Sequence, residues 1–378
     1  MFDYEILRLI WWVLIGVLLV GFAVTDGFDM GVGALVPVIG KNDSERRVMI
    51  NSIAPHWEGN QVWLVTAGGA LFAAWPLVYA TSFSGFYLAM ILTLAALWLR
   101  PLGLAYRSKI EDEKWRATWD VCISVSGFVP PIIFGVAFGN LLQGVPFKLN
   151  EFLMPTYQGS FFQLLNPFAL LCGLVSLFMI IMQGATWLQL KTTKDVHARS
   201  RSVAQITGLL TIAAFVAAGF WVQNIDGYVI TSALDHNAAS NPLAKEVVSR
   251  TGAWMNNFKQ YPLMWTAPAL GVVMSLVTVI ASRLDRGGIA FFASSVGNAG
   301  IIFTAGLAMF PFIMPSKLMP SHSLTMWDAT SSELTLNLMT GVAFIMVPVI
   351  LGYTSWTYYK MFGRLDNKFI EDNKDSLY

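Results

Sequence analysis

Six side chains stand where an apolar sequence gives them no ordinary use. Asp26 and Asp29 fall inside the apolar run 9–38, and His56 and Glu58 inside 49–75. Arg100 closes the run 77–99, and Asp120 opens 121–142. Carboxylates and imidazoles take up and release protons, and with bound water they pass protons over short hops. A guanidinium stays charged and instead sets the field around such groups. Within a membrane segment each charge costs about 2.5–3.5 kcal/mol on insertion scales, so its presence usually marks function. Asp26 and Asp29 are three residues apart and so share one helical face. The plainer alternatives are interfacial positions for Arg100 and Asp120, and boundary pairing for Asp26 and Asp29. Glu58, well inside its run between Trp57 and Trp63, leaves less room for an idle role.

Other chemistries lack their residues. Of the four His, only His56 lies in an apolar run; His197, His236 and His322 fall in loops. A bis-His haem needs two His on facing helices at one depth. His/Met ligation stays open with 17 Met, although Met mostly fills gaps in apolar cores. Metal-binding HExxH and Glu-x-x-His pairs, P-loops and a Ser/His/Asp arrangement are absent. Cys122 and Cys172 are isolated, which excludes a disulfide scaffold, an iron–sulfur cluster and covalently attached haem. The residues alone therefore give this chain no redox centre of its own and no metal site.

The elements that must hold these groups follow from composition. The 378 residues are 55% hydrophobic and 12% charged, where a soluble domain carries about 25% charged residues. That excludes a soluble globule and a disordered chain. A net charge of +1 leaves no basic stripe for nucleic acid. Runs long enough to span a bilayer, about 20 residues, occur at 9–38, 49–75, 77–99, 121–142, 161–190, 204–223, 263–282, 289–313 and 336–358. The expectation is an all-α integral membrane protein, one transmembrane domain over 1–378, with nine helices and no cleaved signal at the start.

Basic residues orient it. Placing the loops that hold Lys41 to Arg47, Arg107 to Arg116, Lys191 to Arg201 and Arg283 to Arg286 on one side, with the tail from Lys360, leaves few basic residues opposite. Only Arg8, Lys148, Lys245, Arg250, Lys259 and Lys317 of the 24 Lys and Arg remain there. The positive-inside rule then sets the N-terminus in the periplasm and the C-terminus in the cytoplasm. Trp11, Trp75, Trp221 and Trp265 near one set of ends, with Trp98, Trp115 and Trp187 near the other, fit interfacial belts. The six chemical residues then gather toward the cytoplasmic part of the first four helices. A faint echo between Val129-Pro130-Pro131 and Phe310-Pro311-Phe312 suggests two four-helix bundles plus one extra helix. Gly27, Gly31, Gly33 and the run Ala67-Gly68-Gly69-Ala70 permit close helix contact, within the chain or with another subunit.

Several blocks carry a family resemblance. Gly27-Phe28-Asp29-Met30-Gly31-Val32-Gly33, His56-Trp57-Glu58-Gly59-Asn60-Gln61-Val62-Trp63 and Gly68-Gly69-Ala70-Leu71-Phe72-Ala73-Ala74-Trp75-Pro76 resemble subunit II of the cytochrome bd-type ubiquinol oxidases. Ala137-Phe138-Gly139-Asn140, Asn224-Ile225-Asp226-Gly227-Tyr228 and Leu324-Thr325-Met326-Trp327-Asp328 continue the likeness, which runs to Ser376-Leu377-Tyr378. The resemblance implies nine helices and a multi-pass chain of the bacterial inner membrane. It implies a haem-bearing partner, subunit I, that holds haem b, haem d and the quinol site, and a small single-span accessory subunit. The complex would oxidise quinol, reduce dioxygen to water and build proton motive force without pumping. Subunit II would support subunit I, supply a proton path from the cytoplasm and, in some members, hold a structural quinone. Carried over by motif, Glu58 takes the acidic position of that path, with Asp26, Asp29, Arg100, Asp120 and His56 beside it. The familiar motif reads His-Trp-Asp, so Glu58 is one methylene longer. Two other readings stand beside this one: a proton-coupled secondary transporter, and a purely structural partner whose carboxylates only satisfy one another.

Overall fold

In lipid the backbone must satisfy its own hydrogen bonds, so long apolar runs fold as helices. The structure, a computed structural model, describes residues 2–372 and Leu377. Lys374 of the basic tail and Ser376 and Tyr378 of the terminal motif lie outside the described residues. Among the described residues, eight helices are long and apolar enough to cross a membrane.

The first helix, α1 (Tyr4–Ile39), is the axis of the molecule. Its opening turns bury one face, through Tyr4, Leu7, Arg8 and Trp11, and from Asp26 to Val36 it is buried all round. That second half crosses α6 (Glu113–Gln143) and α7 (Pro167–Lys191) at very short range. A Cβ on Gly31 would stand 2.2 Å from the Ile180 carbonyl oxygen, and one on Gly127 the same 2.2 Å from that of Met30. Gly184 faces Gly31 in turn. Only glycine allows this approach, and the approach is what buries Asp26 and Asp29 on the neighbouring turns.

The expected second and third spans are each interrupted. The run 49–75 divides into α2 (Asp43–Ile53) and α3 (Trp57–Ala74). Pro55 lies in the turn between them; it has no N–H to donate and its ring would crowd the preceding helical turn. The expected boundary between the two runs stands at Trp75-Pro76, where Pro76 opens the short α4 (Pro76–Gly85), and the third run is interrupted at Phe86. The run 77–99 is then α4 followed by α5 (Tyr87–Tyr106). Arg100 therefore does not close a helix but lies within α5, and Asp120 lies two turns inside α6. Elsewhere the helices are α8 (Lys194–Val222), which starts ten residues before the apolar run 204–223, α10 (Thr266–Arg283), α11 (Gly287–Met309) and α12 (Glu333–Lys360). The short α9 (Asn256–Gln260) and α13 (Asn367–Asp372) lie at opposite ends. The run 289–313 ends early because residues 312–314 form a strand rather than a last turn.

The helices α7, α8, α10 and α11 pack on one another, while α3 packs on α1, and α5 on α6. By contrast α12 is exposed along most of its length and touches α1 and α3. One end of the molecule carries Arg46, Arg107, Arg116, Arg199 and Arg201 and is called the basic end below. The opposite end is closed by three antiparallel ladders: β1 (Phe147–Leu149) with β2 (Pro155–Tyr157), β3 (Asp226–Ile230) with β4 (Val247–Thr251), and β5 (Phe312–Met314) with β6 (Leu324–Thr325). These loops are tied to the helices by Trp254 Nε1 donating to the Leu142 carbonyl at 2.8 Å and Ser331 N donating to that of Ala74 at 2.8 Å.

Candidate functional site

Asp26, Asp29 and Arg100 are each fully buried. Arg100 reaches from α5 and donates Nη1 to Asp26 Oδ1 at 2.5 Å and Nη2 to Asp26 Oδ2 at 3.0 Å, a two-pronged ion pair. One turn on, Asp29 Oδ2 accepts from Asn60 Nδ2 of α3 at 2.8 Å. Asn60 Oδ1 accepts from the Tyr358 hydroxyl of α12 at 2.5 Å. Asp29 Oδ1 is buried with no hydrogen-bond partner among the described residues. Four helices thus converge on two carboxylates, one locked by a cation and the other with an oxygen to spare.

An aromatic box packs beside this cluster. Phe28 stacks on Trp187 at 4.0 Å between ring centroids, and His56 stacks on Tyr358 at 4.3 Å with 7° between the planes. His56 is buried and edge-on to Trp187. It therefore lines the cluster through Tyr358 rather than bonding a carboxylate.

Asp120 belongs to a separate layer at the basic end. Its oxygens accept from Arg107 Nε at 2.6 Å, Arg107 Nη2 at 3.1 Å and Arg46 Nη1 at 2.9 Å. Asp43 continues the alternation with Arg107 at 2.9 Å and Arg116 at 3.0 Å. Nearby, Glu45 is held by Arg199 at 2.6 Å and by the Lys41 N–H at 2.7 Å. Burial opposes ionisation of Glu45, but these donors outweigh it and hold the carboxyl below its ordinary range.

Glu58 is not in the cluster. It is exposed on α3, at the head of a stripe continued by Val62, Val65, Gly69 and Phe72. Steps of three and four residues place all five on one face. The structure thus joins Asp26, Asp29 and Arg100, places His56 behind Tyr358, sets Asp120 in its own layer and turns Glu58 outward. Reasoning from sequence missed Tyr358, Arg46 and Arg107 as members. Arg46 and Arg107 were visible only as loop charges, and nothing in the apolar end of α12 marked Tyr358.

The opposite end has its own buried charges. Arg8 is fully buried, with Nη1 donating to the His236 carbonyl at 2.5 Å and Nε to Thr330 Oγ1 at 3.0 Å. Lys245 pairs with Asp328 at 2.8 Å; burial pushes its ammonium down and Asp328 pulls it back. The remaining His are engaged at the ends: His197 with Asp285 at 2.7 Å, His236 with Glu5 at 2.9 Å and His322 with the Leu149 N–H at 3.0 Å. Among the described residues no group of three or more His, Cys, Asp and Glu could hold a metal ion.

Comparison with known proteins adds a family. The family model described as cytochrome bd terminal oxidase subunit II matches residues 7–361. The chain is 62% identical to cytochrome bd-I ubiquinol oxidase subunit 2 of Escherichia coli over 100% of both chains. It is 29% identical to cytochrome bd ubiquinol oxidase subunit 2 of Bacillus subtilis, over 95% of this chain and 97% of that one. A solved structure of bd oxidase from Geobacillus thermodenitrificans shares the fold, with a TM-score of 0.68 at 15% identity over 95% of this chain and 99% of that chain.

Proposed function

The chain belongs to the cytochrome bd terminal oxidase subunit II family, and we propose that its own part in such an oxidase is to carry protons toward a haem-bearing partner. It is a multi-pass subunit of an oxidoreductase complex of the bacterial inner membrane. In this reading the run 49–75, carried mainly by α3, adds a ninth crossing to the eight long helices, the bundles are two of four helices with α12 as the extra one, and the basic end faces the cytoplasm. The positive-inside rule supports that orientation. Subunit I would carry haem b, haem d and the quinol site, with a small single-span subunit beside it and a structural quinone as an optional occupant of the assembly. The complex would oxidise quinol and reduce dioxygen to water, building proton motive force without pumping. Family membership favours this over a proton-coupled transporter.

The residues of this chain do not fit haem ligation. His56 lies flat on Tyr358 and edge-on to Trp187, and His197, His236 and His322 are tied to other groups at the molecule's two ends. The chain's own work is then with protons. Arg46 and Arg107 hold Asp120 at the mouth. Asp29 sits beyond it, and Glu58 stands on the exposed face of α3 where a neighbouring subunit would meet it.

The observation that carries this reading is Asp29: a buried carboxylate with one oxygen bonded to Asn60 and the other uncommitted. Buried carboxylate oxygens are usually bonded, as both oxygens of Asp26 are, which sets Asp29 apart from it. The test neutralises Asp29 and Glu58 together in the assembled oxidase, leaving the buried Asp26–Arg100 pair intact. Slow dioxygen reduction with normal haem bands supports proton delivery. Loss of the haem bands would instead assign the carboxylates to assembly, and full turnover would overturn the proton role.

A further inference from the structure

The buried cluster is connected to the last long helix through a single amide. The Tyr358 hydroxyl donates to Asn60 Oδ1 at 2.5 Å, and Asn60 Nδ2 donates to Asp29 Oδ2 at 2.8 Å. Along α12 only Leu336 and Thr340 are buried, so little else steadies this helix. Leu336 and Thr340 hold its first turns against Trp11, and Tyr358 holds its last turns at the basic end. The Tyr358 ring lies on His56 and meets Trp187 and Phe28 edge-on, at 6.2 Å and 6.4 Å. Just beyond, Lys191 Nζ donates to the Met361 carbonyl at 2.7 Å, and the Leu365 N–H to the Lys191 carbonyl at 2.7 Å. The phenol is therefore held in place from several sides.

An amide has one donating and one accepting end, so the group against one end decides what the other end offers. An ionised carboxylate only accepts and must meet the amide N–H. A protonated carboxyl also donates and is better met by the amide oxygen. A phenol hydroxyl both donates and accepts, so it can satisfy either orientation of the amide.

We propose that Tyr358 is a positioning residue for proton transfer at Asp29, acting through Asn60; this rests on reading Asp29 as a group that carries protons. While Asp29 is ionised, Tyr358 donates to Asn60 Oδ1 and Asn60 Nδ2 donates to Asp29. When Asp29 takes a proton, the amide turns over: the new Asp29 O–H donates to Asn60 Oδ1, and Asn60 Nδ2 donates to the Tyr358 oxygen. Tyr358 keeps its own proton in both states, so no charge passes onto α12. The charged and titratable groups that face this chain are the Asp26–Arg100 pair on α1 and α5, His56 against the phenol, and Lys191 beyond Trp187.

The test compares Tyr358→Phe, which keeps the ring and removes only the hydroxyl, with Asp29→Asn in the assembled oxidase. The expected result for Tyr358→Phe is normal haem content and turnover lowered roughly fivefold, the worth of about one hydrogen bond. The pH profile of turnover is displaced, and the infrared carboxyl band that Asp29→Asn removes is shifted. A Tyr358→Phe oxidase with parental turnover, pH profile and carboxyl band, beside a slowed Asp29→Asn oxidase, overturns the inference alone. An Asp29→Asn oxidase at full speed overturns the underlying reading and the inference with it. If Tyr358→Phe assembles poorly, Asn60→Ser breaks the same chain and is judged by the same three readouts.

Discussion

Arg100 holds both oxygens of Asp26, at 2.5 and 3.0 Å, with neither residue open to solvent. The pair ties α5 to α1 at the depth where Asp29 lies one turn away. Removing one partner of a buried ion pair strands the other, which costs about 3–5 kcal/mol. Arg100→Gln is therefore expected to lower the thermal stability and yield of the assembled complex sharply. Pairing it with Asp26→Asn should restore part of the loss. Heat-denaturation midpoints of the two complexes check this, and equal loss in single and double variants would contradict it.

Glu58 is expected to act through its carboxyl and its reach. Glu58→Gln should slow dioxygen consumption by about tenfold or more, within what a positioned proton donor supplies, with haem content unchanged. Glu58→Asp keeps the acid and should retain much of the rate. Oxygen-electrode turnover of both variants decides, and equal rates for Gln and the parent would rule Glu58 out.

The glycine contacts give a prediction about packing. Gly31→Val forces side-chain atoms toward the Ile180 carbonyl, 2.2 Å from where its Cβ would stand. Overpacking of this kind costs about 1–3 kcal/mol, read as a lower denaturation midpoint. Gly352→Ala on α12, where an added Cβ meets nothing within 4 Å, is the control and should be neutral.

Acid should loosen the basic end through Glu45. Its carboxyl lies below the ordinary range despite its burial, because Arg199 and the Lys41 N–H donate to it. A depressed folded value means the stabilisation is complete above the unfolded value, about 4.3. It is lost as pH falls through the lower folded value. The denaturation midpoint of the parent should therefore drop more steeply below about pH 4 than that of Glu45→Gln. Parallel curves would contradict it.

How much of this was legible beforehand depends on which force set each feature. Apolar runs report lipid burial directly, so α1, α7, α11 and α12 stand close to the runs that announced them. Hydropathy does not register a lost N–H, so 49–75 reads as one span across Pro55, and 77–99 likewise reads across Phe86 between α4 and α5, while the boundary at Trp75-Pro76 stands where the runs divide. It equally overlooks a charged helix, so the basic stretch Lys194 to Arg201 reads as loop although α8 begins there. In the site, the spacing of Asp26 and Asp29 carries their shared face, whereas Arg100 reads only as the charge that closes a run, and its burial within α5 does not show. Partner choice did not show, because it depends on how helices distant in sequence cross. Tyr358 and Asn60 are 298 residues apart. Glu58 shows the reverse case: its depth in a run suggested enclosure, but the face of α3 that bears it is exposed in the chain by itself.

The central claim is that Asp29 carries protons taken up from the cytoplasmic side. Time-resolved proton uptake from the medium, followed with a pH dye during a single reaction of the reduced oxidase with dioxygen, tests it most directly. With Asp29→Asn and full haem content, uptake is expected to slow together with the final steps of dioxygen reduction. Uptake at the parental rate, with the carboxylate gone and the haems in place, would contradict the account.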